Sequence, residues 1–121
     1  MNRVVHFEIP ADDPETSSKF YQEIFGWTFT KWEGPMPYWL IDTGSGAPGI
    51  NGGMLVRRDP AQPVANTIEV NSVDEYAAKI ESLGGKIVLP KMPIPGVGYL
   101  AYFSDLDGNI FGIMHNDPNA S

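Results

Sequence analysis

Glu8 and Glu69 stand 61 residues apart in two stretches of similar pattern, His6-Phe7-Glu8-Ile9 and Thr67-Ile68-Glu69-Val70. Both stretches are rich in β-branched and aromatic residues and read as strands. Side chains alternate between the faces of a strand, so His6 and Glu8 share one face while Phe7 and Ile9 share the other. Phe7 and Ile9 are the pair suited to pack beneath a helix, which turns His6, Glu8, Thr67 and Glu69 toward a cavity. Two carboxylates in such a place admit three chemistries. They can hydrogen-bond to Tyr, Trp or backbone donors and satisfy buried polar groups. One of them can be a general base, its pKa raised by burial and by the other's charge. Or, with His6, they can form a relocated metal site.

Other residues fall near these by the same spacing. Tyr38 and Tyr99 are also 61 apart and are expected to line the pocket. Met54 and Met114, on the last strand of each half, would form an adaptable apolar floor. His115 lies beside Asn116-Asp117-Pro118 and reads as a surface residue. Gly44-Ser45-Gly46-Ala47-Pro48-Gly49 matches the glycine spacing of dinucleotide-binding loops, but that motif works by opening a helix toward the pyrophosphate. Pro48 and the strand pattern that follows offer no helix, so a hairpin loop is the reading here.

The elements that must position these groups occur twice. Val4 to Ile9 reads as a strand ended by Pro10. Asp13-Pro14 starts a helix whose apolar stripe is Phe20, Tyr21, Ile24 and Phe25, and Gly26 ends it. Strands are expected at Trp27 to Trp32, Tyr38 to Thr43 and Gly53 to Arg57. Asp59-Pro60-Ala61-Gln62-Pro63 is a linker near the middle of the chain, and the pattern then restarts. Asn66 to Asn71 is a strand, and Ser72-Val73-Asp74-Glu75 is a capping box. Tyr76, Ala77, Ile80 and Leu83 form the second stripe, which ends at Gly84-Gly85. Strands at Lys86 to Leu89, Tyr99 to Ser104 and Asn109 to His115 complete the second half, with Pro90, Pro93 and Pro95 marking an irregular loop. Module one therefore spans about residues 1–58, the linker 59–63, and module two about 64–121.

The chain has 121 residues, 42% of them hydrophobic and 19% charged, a balance that suits one folded domain with a sizeable core. A net charge of −7, with Arg57-Arg58 as the one basic pair, argues against nucleic acid as a partner. No apolar run approaches the length of about 18 residues that a membrane helix needs. There is no cysteine, hence no disulfide, thiolate metal site or cysteine nucleophile. The opening residues turn acidic too soon for a signal peptide, and together these features lead us to expect a cytoplasmic protein.

Asp105-Leu106-Asp107-Gly108-Asn109 is a turn between two apolar strands, with glycine supplying the positive φ. It resembles the turn before the last strand of the vicinal oxygen chelate superfamily, which includes glyoxalases, bleomycin-resistance proteins and extradiol dioxygenases. The opening strand with its histidine, and the segment Phe20-Tyr21 to Phe25-Gly26-Trp27, resemble the same superfamily. The resemblance implies an α+β fold of two tandem β-α-β-β-β modules with curled mixed sheets around a shared cavity. In the metal enzymes of this family the ion is held by the first and last strand of each module. His6 occupies one such position, Thr67 is its counterpart, and the remaining two fall near Gly53 and at Gly112. That set is incomplete, since a catalytic ion usually needs about three protein ligands. The function expected is therefore a glyoxalase-like domain that binds a small organic molecule without the usual metal site and without a cofactor. Its alternative is a metal-dependent lyase or isomerase acting next to a carbonyl, with Glu8 or Glu69 as base and His6 as a metal ligand. Relatives commonly dimerise, so a homodimer is expected as well.

Overall fold

A computed structural model describes all 121 residues. Two helices and eight strands follow one another in the order β1 (Val4–Ala11), α1 (Pro14–Phe25), β2 (Thr28–Lys31), β3 (Tyr38–Asp42), β4 (Asn51–Val56), β5 (Ala65–Glu69), α2 (Val73–Ser82), β6 (Lys86–Ile94), β7 (Gly98–Ser104) and β8 (Ile110–Asn116). Each half is one β-α-β-β-β module, as the repeat predicts, and the fold is α+β. The chain forms two compact units, His6–Val64 and Met1–Val5 with Ala65–Ser121.

In the unit His6–Val64 the strands run in the order β2-β3-β4-β1. β1 and β4 are parallel, and β3 is antiparallel to both β2 and β4. Ile9, Ala11, Ile41 and Met54 form the core, with Phe7, Tyr21, Trp27, Phe29 and Trp39 packed against it. Tyr21 brings α1 onto this layer, so Phe7 and Ile9 do lie on the helix side. Pro14 opens α1, and Gly26 closes it in the left-handed region at φ 74°, its N–H donating to Gln22 O. Asp13 occupies the cap position without bonding the backbone, and its Oδ2 accepts instead from the Thr16 hydroxyl at 2.8 Å. β1 does not stop at Pro10. It continues to Ala11, whose carbonyl accepts from the Arg57 N–H at 2.9 Å, while Arg57 Nη2 reaches the Pro10 carbonyl at 3.3 Å.

The second unit repeats this plan in the order β5-β8-β7-β6, with β5 and β8 parallel and β7 antiparallel to β6 and β8. Val70, Val73, Ala101 and Ile113 are its core, joined by Ile68, Tyr76, Ile80, Tyr99 and Phe103. Ser72 caps α2 as expected, accepting the Glu75 N–H at 3.1 Å. The chain's first residues belong here: the Asn2 N–H donates to Glu69 O at 2.7 Å, and the Glu69 N–H to Arg3 O at 3.0 Å.

The proline-rich stretch is not the irregular loop expected. β6 runs through Pro90 and Pro93 to Ile94, and only Pro95 lies beyond it. The strand sits at the edge of its sheet, where a missing N–H breaks no ladder. Its pairing slips between Ile87 and Leu89 and again between Leu89 and Met92, where Pro90 lies, while Pro93 pairs in regular register with Tyr99.

Candidate functional site

On the face of the first module turned away from α1, β1 and β3 bring three polar side chains together. Parallel pairing sets His6 opposite Asn51 and Glu8 opposite Gly53, while Ile9 opposite Met54 belongs to the helix side. Tyr38 starts β3 opposite Leu55, which puts it on the same face as Glu8. Its hydroxyl lies 2.7 Å from His6 Nε2 and donates to Glu8 Oε2 at 2.9 Å. With the phenol proton committed to Glu8, it is the His6 Nε2–H that donates to the phenol oxygen. The three groups make a directed chain of hydrogen bonds, imidazole to phenol to carboxylate.

The surroundings hold this chain in place. The His6 and Tyr38 rings lie nearly coplanar and end to end, 6.4 Å between centroids, and Trp32 meets the Tyr38 ring edge-on at 6.2 Å. Glu8 is only 8% exposed. Burial pushes the His6 pKa below its ordinary value, and the negative charge of Glu8 opposes that shift without cancelling it. Gly53 is what makes the arrangement fit. A Cβ built there would collide with the Tyr38 hydroxyl and ring, so the phenol fills the space a side chain at 53 would enter.

The second module brings its expected residues together differently. Thr67 is 3% exposed and faces Gly112 across the parallel ladder, where its Oγ1 would stand 3.1 Å from a Cβ at 112. Leu100 and Tyr102 close in on that same point. Glu69, half-buried, accepts from the exposed Asn116 Nδ2 at 2.9 Å. Met114 pairs with Glu69 and so lies on the face away from α2.

Three of the expected positions are corrected. Met54 is fully buried in the core beneath α1 and forms no pocket floor. Tyr99 packs on the α2 side with Ala101 and Ile113 and lines no pocket. The reason is a slip of register between the repeats. Trp39 pairs with Met54 and Tyr99 with His115, so Tyr99 is the counterpart of Trp39, 60 residues away (99 − 39), and that of Tyr38 is Gly98. A shift of one residue moves a side chain to the opposite face. His115 is likewise no surface residue. It is half-buried against Tyr99, 5.4 Å between centroids, and its Nδ1 accepts the Val73 N–H at 2.9 Å, satisfying a free donor at the start of α2. The Gly44 to Gly49 stretch connects antiparallel β3 and β4 as a loop without a helix, with Gly44 and Gly46 at positive φ, and so offers no pyrophosphate site.

Comparison with known proteins bears on this geometry. A family model described as bleomycin resistance protein-like N-terminal matches residues 3–43. CFP32 of Mycobacterium bovis, provisionally named a glyoxylase, is 28% identical over 115 residues, 92% of this chain and 43% of CFP32. The chain thus spans about two fifths of the length of that relative. Among solved structures, BH1468 of Bacillus halodurans superposes with a TM-score of 0.72 over 99% of this chain and 98% of its own, at 13% identity. A methylmalonyl-CoA epimerase of Mycobacterium tuberculosis gives 0.70 over 95% and 88%, at 12% identity. Together these likenesses indicate the vicinal oxygen chelate superfamily. A Mn(II)-bound glyoxalase of Novosphingobium aromaticivorans shares the fold too, with a TM-score of 0.63 at 15% identity over 98% of this chain and 38% of that one.

Measured against the ligand positions of vicinal oxygen chelate metal enzymes, the residues present do not fit an ion. His6 is engaged with Tyr38, Thr67 is a weak donor, and Gly53 and Gly112 have no side chain. Nowhere in the structure do three or more His, Cys, Asp or Glu side chains cluster as they would need to around a metal.

Proposed function

We propose that this chain is a glyoxalase-like domain that binds a small organic molecule at the His6, Tyr38 and Glu8 face of its first module, without the family's metal set. The observation that carries the reading is the hydrogen-bonded chain from His6 through Tyr38 to a buried Glu8. A buried carboxylate already tied to a phenol favours a ligand that offers a cation or hydrogen-bond donors, and the Tyr38 and Trp32 rings supply flat apolar surface beside it. A homodimer in the cytoplasm, with neither nucleic acid nor membrane as partner, completes the proposal.

The same hydrogen-bonded chain supports a second reading, a lyase or isomerase. Glu8 would remove the proton next to a substrate carbonyl, Tyr38 and His6 holding the carboxylate in position, and would return that proton to the neighbouring carbon. Glu69, less buried than Glu8 and paired with Asn116, suits the role less well than Glu8.

A screen of cationic and polar heterocyclic fragments by ligand-observed NMR tests the first reading, with light scattering reporting oligomeric state. Binding that disappears in Glu8→Gln and weakens in Tyr38→Phe is the result expected. Hits that bind both variants as well as wild type would refute it. Turnover of α-hydroxycarbonyl substrates, abolished by Glu8→Gln, would put the second reading first.

A further inference from the structure

The Tyr38 hydroxyl stands where three strand positions converge. His6 Nε2 is 2.7 Å from it and Glu8 Oε2 is 2.9 Å from it. The third position is residue 53, directly across the ladder from Glu8, where an added Cβ would run into the hydroxyl. An imidazole, a carboxylate and a third side chain around one point is the arrangement that holds a divalent ion with about three protein ligands. Here the point is taken by a neutral oxygen. The ring carrying it is held by His6 at its hydroxyl and by Trp32 in an edge contact.

We propose that Tyr38 is a plug: its hydroxyl stands in place of a cation, and Tyr38 and Gly53 are a coupled pair that keeps divalent metals out of the first module. A carboxylate at 53 has no room while the phenol is present. Removing the phenol alone leaves two donors, too few to hold an ion firmly. Both positions must change before His6, Glu8 and a carboxylate from β4 can meet on a metal. The proposal concerns metal exclusion alone, so it can fail while organic-ligand binding at this face stands, and the reverse.

The test is titration with Co(II), followed by its visible absorption, on wild type, Gly53→Glu, Tyr38→Ala and Tyr38→Ala/Gly53→Glu. Wild type should bind none. The double variant should bind one equivalent at least about tenfold tighter than either single variant, the least that a third protein ligand would contribute. Stoichiometric binding by wild type that is lost in His6→Ala would overturn the proposal. So would a Gly53→Glu single variant that binds as tightly as the double, or a folded double variant that binds nothing. Should the glutamate variants not fold, thermal midpoints of Gly53→Ala decide the matter. The substitution should lower the midpoint by about 4 °C or more in wild type and leave it unchanged in a Tyr38→Ala background. An equal drop in both backgrounds would show that Tyr38 does not fill the space at 53.

Discussion

The two modules share a strand order and a parallel ladder between first and last strand, yet each turns a histidine and a tyrosine to a different face relative to its helix. In the first, a histidine and a tyrosine lie away from the helix, and the tyrosine hydroxyl, bonded to the histidine, donates to a buried glutamate. In the second, a histidine and a tyrosine lie on the helix side, where His115 caps α2 and Tyr99 joins the core. On the face away from α2, Thr67 and Gly112 pack against Leu100 and Tyr102. A duplicated scaffold can thus keep its backbone while one half carries the candidate chemistry and the other the packing.

The largest effects should test what the halves have in common. Met54→Ala and Ile113→Ala each empty a fully buried core position and should cost about 2–5 kcal/mol in denaturant unfolding. A cost below about 1 kcal/mol for Met54→Ala would mean that Met54 is not core. Tyr38→Phe comes next. It removes a hydroxyl that serves both His6 and Glu8 and should cost about 1–3 kcal/mol, whereas Tyr99→Phe, which keeps the ring against His115, should stay within about 0.5 kcal/mol. Equal costs for the two would erase the contrast between the modules.

Much of this architecture was legible in the chain itself. Gly26, Ser72 and the Asp105 turn marked the ends of elements because each meets a local backbone requirement that no distant contact overrides. The alternation in His6-Phe7-Glu8-Ile9 sorted its side chains correctly, since Phe7 and Ile9 had to be covered by a helix. Tyr99 and Met54 were misplaced because facing depends on register, and register is set by pairing across strands far apart in sequence. His115 looked peripheral for the same reason: the donor it satisfies is 42 residues away. Pro90 and Pro93 spoke against a strand, and only the edge position of β6 makes them harmless. The hydrogen bonds of Tyr38 were invisible, although Gly53 was a signal: a glycine inside a strand often marks the close approach of another group.

Smaller effects sharpen the contrast at the helix ends. Ser72→Ala should cost about 1 kcal/mol because it frees the Glu75 N–H. Asp13→Ala should cost only a few tenths of that, since Asp13 bonds a side chain and not the backbone. The smallest effect is that of pH on the first module. The His6 pKa is lowered on folding, so the unfolded chain takes up the proton first, near its ordinary value of 6.5. Stability should therefore be fully present above about pH 6.5 and decline as the pH falls below it. His6→Gln should flatten that part of the unfolding profile, and a slope unchanged in the variant would assign the effect to another group.

The first five residues belong to the unit completed by the last half of the chain. Arg3 and its backbone partner Glu69 lie on either side of the whole first unit in sequence, so their pairing closes only after Glu69 has been made. A substitution that disturbs residues 1–5 would therefore act on the unit that contains Glu69, not only on the strand that continues directly from them.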